Sequence, residues 1–146
     1  MADHTATELD APAIADFLDT QETGVLSLAA SDESYAIPVS FAYEPENSRV
    51  YFRLGYAPGS QKQSYVEATD HATFVVYDQT ADGWKSVVAR GQLETLSETD
   101  LESRILQAVR KLDIPYFRVF DRPTDELDFK IVALQVEQLN GLVEGG

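Results

Sequence analysis

Arg49, Arg53 and Lys62 stand in a part of the chain that holds no Asp or Glu between Glu46 and Glu67. Over the whole chain acids outnumber bases by 25 to 11, and the formal net charge is −14. Cations gathered in such a gap are suited to holding an anionic group, most simply a phosphate. Their surroundings favour this. An alternating run ends at Leu54, a loop punctuated by Gly55, Pro58 and Gly59 follows, and Ser60 opens a helical segment. A helix start offers backbone N–H groups and the positive end of its dipole, and Lys62 would sit in the first turn. The plainer reading stays open. Arg53 and Lys62 would then be surface cations beside carboxylates, worth little each, and Ser60 would only cap a helix.

A second acid-free island runs from Trp84 to Leu93 and contains Lys85 and Arg90. Trp84 is the only tryptophan, suited either to packing at a mouth or interface or to touching a flat ligand. Other chemistries find no footing. There is no cysteine, so disulfides, thiolate nucleophiles and Cys–metal sites are excluded. His4 and His71 stand apart, with no His/carboxylate spacing suited to a metal. No Gly-x-Ser-x-Gly elbow occurs. Arg104, Arg110 and Lys111 fall where they would offset the C-terminal dipole of a helix.

A chain of 146 residues is expected to form one domain over 1–146 and to bury roughly 68–70% of its unfolded surface. The charge argues against nucleic acid or an anionic membrane as partner, since those contacts are driven by Lys and Arg. Scattered acids with only four lysines fit a halophilic surface, or an ordinary acidic protein. No basic start followed by an apolar run marks residues 1–20, and no apolar stretch approaches the ~20 residues of a membrane span. A cytoplasmic location is the expectation.

Several elements must position these residues. Residues 1–8 are polar and expected to be frayed. Asp10 is a helix N-cap with Pro12 behind it, predicting a helix over about 10–20 with Ile14, Phe17 and Leu18 on one face. A strand over about 23–30 and a turn at Ser31–Ser34 follow. In Tyr35–Tyr43 the odd positions are bulky and the even ones, Ala36, Pro38, Ser40 and Ala42, are small. One face therefore belongs to a core, and the other lets a layer or a planar ring approach the backbone. Pro38 removes a ladder donor, so this strand is expected at an edge or interrupted there. Strands over 49–54, 72–77, 84–96 and 129–139 are predicted, with helices over 60–69 and from Ser97 to Leu112. A turn-rich loop is predicted over 78–83, an irregular stretch over 113–128 and a tail over 141–146. Gly91 marks a bulge or bend. Six strands in sequential antiparallel order with flanking helices predict an α+β fold, a small closed or split β-barrel.

The ordered set Tyr35–Phe41, Val50–Phe52, Gly59–Lys62, Trp84–Val87 and Gly91 resembles the pyridoxamine 5′-phosphate oxidase-related FMN-binding split-barrel proteins. The resemblance implies a homodimer with FMN in a groove between subunits, and a flavin-dependent oxidoreductase. It implies ring contacts from Pro38, Val39 and Ser40, and phosphate contacts from Arg53, Ser60, Gln61 and Lys62. Trp84, Lys85 and Ser86 match a segment that reaches the cofactor from the partner subunit or lines the groove mouth. Two departures stand out. Ser60-Gln61-Lys62 replaces a Ser-Arg-Lys triplet, which leaves Arg53 to compensate, and no Trp followed by a late Arg closes the chain. The substrate is therefore not implied to be pyridoxamine phosphate. The alternatives are a flavin module without turnover, or a related barrel's deazaflavin or haem.

Overall fold

The computed structural model describes residues 6–56, 59–96 and 128–145. The elements are β1 (Ala6–Glu8), α1 (Ala11–Asp19), β2 (Thr23–Ala30), β3 (Glu33–Glu44), a 3-10 turn (Pro45–Asn47), β4 (Arg49–Tyr56), α2 (Gln61–Ala68), β5 (His71–Thr80), β6 (Gly83–Leu96) and β7 (Asp128–Glu144). All ladders are antiparallel, in the order β1-β7-β4-β3-β2-β5-β6, and β6 also pairs with β7. Strands β2 to β7 therefore close on themselves as a ring, the expected split-barrel arrangement, with β1 as an added strand on β7.

Local chemistry explains the corners. The carboxylate of Asp10 accepts the Ala13 N–H at 2.9 Å and starts α1, which buries Ile14, Phe17 and Leu18. Ser31 and Asp32 take φ of 50° and 64° and form the two-residue turn between β2 and β3. Left-handed turns of this kind match the twist of the strands they join. Between β6 and β7 the register slips at Arg90/Gly91, the bulge expected at Gly91. A side chain there would strike the Gln135 carbonyl of the neighbouring strand.

The core lies inside the ring. Leu26, Val50, Phe52, Phe74, Val132 and Leu134 are buried there, joined by the face of α1 and by Val66 of α2. Phe74 meets Phe41 and Phe52 edge-on at centroid distances of 5.0 and 4.8 Å.

The ring is unequal around its circumference. Strand β3 pairs with β2 from Ser40 back to Glu33, but with β4 only from Phe41 to Glu44. Strand β4 continues alone on that side while pairing with β7 as far as Tyr56. The sheet thus parts between residues 33–40 and 53–56, and Pro38 lies in the parted half, as its missing N–H predicts. Helix α2 lies against this half of β3. The Tyr65 ring stacks on Tyr35 at 4.9 Å, its hydroxyl donates to Glu33 at 3.1 Å, and Thr69 donates to the Ala29 carbonyl at 3.3 Å.

Three differences from the sequence reading have physical causes. Residues 6–8, expected frayed, pair with 142–144, expected to be a tail. The bond is made by backbone groups of exposed residues, so hydrophobic alternation carried no sign of it. Gly141 looks like a strand stop, yet it lies within β7 because the Ile14 side chain of α1 packs against its backbone. The stretch 78–83 is mostly ladder, with Asp78 opposite Lys85 and only Ala81 and Asp82 in the turn. The predicted helix from Ser97 and the irregular stretch predicted over 113–128 lie outside the described residues, except Asp128, which opens β7.

Candidate functional site

The parting between β3 and β4 gathers most of the residues singled out in the sequence. Along β3, Ile37, Val39 and Phe41 face the core while Pro38 and Ser40 face outward. Val39 is 6% exposed, so it offers an outside ligand its backbone and not its side chain. The last rung joins Phe41 to Phe52. Continued by one residue, that register sets Ser40 opposite Arg53, the next outward position on β4. The small side chains of the outward face leave the β3 backbone approachable there.

Just beyond Arg53 the start of α2 meets the end of β4. The Ser60 hydroxyl accepts the Gln63 N–H at 3.2 Å, and the Gln63 side chain reaches back to accept the Gly59 N–H at 2.8 Å. This reciprocal cap holds the helix start in place. Its opening amides have no acceptor within the helix. The Lys62 ammonium donates to the Gly55 carbonyl at 2.9 Å, two residues beyond Arg53, or roughly 7 Å along a strand. Burial draws its pKa below the ordinary lysine value. Arg53, Ser60, Gln61 and Lys62 are thereby brought to one end of one strand, with Gln61 exposed.

Arg49 belongs elsewhere. Its Nε donates to the Gln135 side chain at 2.9 Å at the opposite end of β4. Nearby, Glu44 accepts from Asn47 at 2.8 Å and from the buried Tyr51 hydroxyl at 3.1 Å. Burial, followed by Glu44, raises the Tyr51 pKa and keeps the phenol protonated. That cluster ties the 3-10 turn to the sheet.

The second island is not joined to the first within one protomer. In the sheet order β6 stands three strands from β3, about 14 Å at the usual strand spacing. Trp84 and Ser86 point outward, and Trp84 is 50% exposed beside Tyr77, which is 61% exposed, at a centroid distance of 6.4 Å. Lys85 points to the other side and pairs with Asp82 at 3.6 Å. Between the islands runs an in-register outward row of Pro38, Val25, Val75 and Val88. Tyr77 and this row escaped the sequence reading, because strand register decides them and alternation alone does not specify register.

Among the described residues no group of three or more His, Asp or Glu could hold a metal. His71 pairs with Glu137 at 3.3 Å on an exposed surface. No described helix is long and apolar enough to cross a membrane. What the parting offers is a pair of cationic residues and a capped helix start at one end of an approachable strand edge.

Solved structures share this fold. A FAD-binding protein from Mesorhizobium loti superposes with a TM-score of 0.70 at 19% identity, over 98% of this chain and 99% of that one. The FAD-binding protein from Mycobacterium smegmatis gives 0.66 at 20% identity, over 96% and 100%. A flavocytochrome from Azotobacter vinelandii gives 0.64 at 16% identity, over 97% of this chain and 70% of that one. At such identities the likeness is one of fold. No curated protein matches the sequence. The sequence model of one family, described as pyridoxamine 5′-phosphate oxidase, matches residues 10–143, nearly the whole chain. The chain therefore belongs to the pyridoxamine 5′-phosphate oxidase family.

Proposed function

We propose that the chain binds FMN at the parting between β3 and β4 and serves as a flavin-dependent oxidoreductase. The observation that carries this is the convergence of Arg53, the capped start of α2 and the Lys62 ammonium on the end of β4, in a molecule of net charge −14. Such a cradle fits a phosphate monoester. Arg53 and Lys62 would neutralise it, and the α2 amides with Ser60 and Gln61 would orient it. The outward backbone of Pro38, Val39 and Ser40 would run beside the ring, on the face left bare by small side chains. A bound flavin supplies the electron or hydride transfer, and the protein contributes orientation and electrostatics. The FAD-binding proteins that share the fold support a flavin, and the cations with the helix start at the end of β4 fit the single phosphate of FMN.

A homodimer completes the site in this reading. The outward row of valines, with Tyr77 and Trp84, is an apolar face that a second copy would cover. Trp84 and Ser86 would then reach the partner's parting, which they cannot reach in their own protomer.

The test is direct. Purified protein is expected to show flavin absorption, or to gain melting temperature on adding FMN, and the cofactor released by denaturation should be FMN rather than FAD, a deazaflavin or haem. Protein that is colourless and unmoved by FMN sinks the proposal. Reduction of the bound flavin by NADH or NADPH separates an oxidoreductase from a flavin module without turnover.

A further inference from the structure

Helix α2 buries one side chain, Val66, and meets β3 through Tyr65. The rings of Tyr65 and Tyr35 stand 4.9 Å apart between centroids and 12° from parallel, so nothing fits between them. The Tyr65 hydroxyl donates to Glu33 Oε2 at 3.1 Å. Both rings are half-buried and Glu33 is exposed, so a small oxidant can reach the rings and a proton can leave to water. This is the one tyrosine–tyrosine ring contact among the described residues. Tyr51 also donates to a carboxylate, Glu44, but faces no second tyrosine. Tyr77 has Trp84 beside it, 6.4 Å away and tilted by 39°.

We infer that Tyr35 and Tyr65 form an oxidative cross-linking site, at which a one-electron oxidant staples α2 to β3. A phenol that loses an electron becomes a strong acid, and Glu33 is placed to take the Tyr65 proton as the electron leaves. The face of Tyr35 stabilises the positive charge developing on its neighbour, as an aromatic face does any cation. Tyr35 then gives up its own electron, and its proton passes to water. The two phenoxyl radicals join through one ring carbon ortho to each oxygen. The hydrogens on those carbons move to the oxygens and restore both phenols. Two electrons and two protons leave the protein, and one carbon–carbon bond forms. The oxidant is external and of the one-electron class, so the site stands apart from the flavin reading. A link between positions 35 and 65 closes a loop of the unfolded chain and should stabilise the fold as a disulfide does.

The test is brief illumination of the full chain with tris(bipyridine)ruthenium and persulfate, followed by mass mapping of linked peptides in the monomer fraction of a denaturing gel. The expected product is one intramolecular link, Tyr35 to Tyr65, with dityrosine fluorescence and a raised melting temperature. Tyr35→Phe and Tyr65→Phe keep the packing and should each lower the intramolecular yield about tenfold or more. Tyr77→Phe should leave it within about twofold. Glu33→Gln still accepts the hydrogen bond but takes up no proton, and should slow formation about threefold or more at neutral pH. No link in the monomer, a link that maps to other tyrosines, or a yield that survives in either Phe variant of the pair would overturn the site. An unchanged rate in Glu33→Gln would overturn the part given to the carboxylate. Linked monomer that melts no higher than unlinked protein would overturn the staple.

Discussion

The ring has two contrasting seams. Between β6 and β7 the ladder runs from Trp84↔Glu144 to Leu96↔Ile131, broken only by the bulge at Gly91. Between β3 and β4 it lasts for four rungs, from Phe41↔Phe52 to Glu44↔Arg49. The long seam exchanges backbone hydrogen bonds and fixes the shape of the ring. The short one leaves backbone and cations on its lips. A barrel that zipped evenly would have nowhere to admit a ligand edge-on; here cohesion is concentrated on one side so that the other can stay parted.

The contrast can be broken most severely at Phe74, which backs the last rung of the short seam by touching both Phe41 and Phe52. Phe74→Ala is expected to cost about 3–5 kcal/mol, measured by denaturant unfolding, with any FMN binding lost as well. A loss under about 1 kcal/mol would mean that the rung holds without its support. Arg53→Ala with Lys62→Ala should separate function from stability. FMN affinity should fall at least a hundredfold, while melting shifts far less than in Phe74→Ala. Unchanged affinity would remove the phosphate assignment. Ser60→Ala removes the cap of α2 and should cost about 1 kcal/mol of stability, with a smaller loss of affinity than the double variant.

The smallest expected effect is a pH dependence. Burial holds the folded pKa of Lys62 below its unfolded value, so the cost of keeping it charged is present at low pH. That cost is relieved as pH rises through the lowered pKa toward the ordinary lysine range of ~10.4. The free protein should gain a little stability across that window. FMN affinity should fall across it, because the phosphate needs the ammonium charged. Affinity that is flat to pH 10 would mean that Lys62 does not touch the anion.

Much of the short seam was legible before any coordinates. Pro38 announced a gap in the ladder, Ser60 a helix start, and the alternation from Tyr35 to Tyr43 an approachable face. Composition likewise showed where the cations gather. What stayed hidden depends on register and on chain reversal. Nothing in the residues 84–86 tells which of them points outward, or that two strands, β2 and β5, lie between them and Pro38. Gly141 misled for a related reason, since a glycine that ends a strand and one that admits a neighbour read alike.

Because Ala6 lies opposite Glu144, and Glu144 opposite Trp84, both extremities of the described chain emerge at the same corner, next to the valine-lined surface. The described chain thus enters and leaves at the rim where a second subunit is proposed to settle, which makes a purification handle a concern there. Assembly measured on a tagged preparation would report on the handle as well as on the protein. Cleaved material, or a label placed at the Ser31–Asp32 hairpin, avoids that corner.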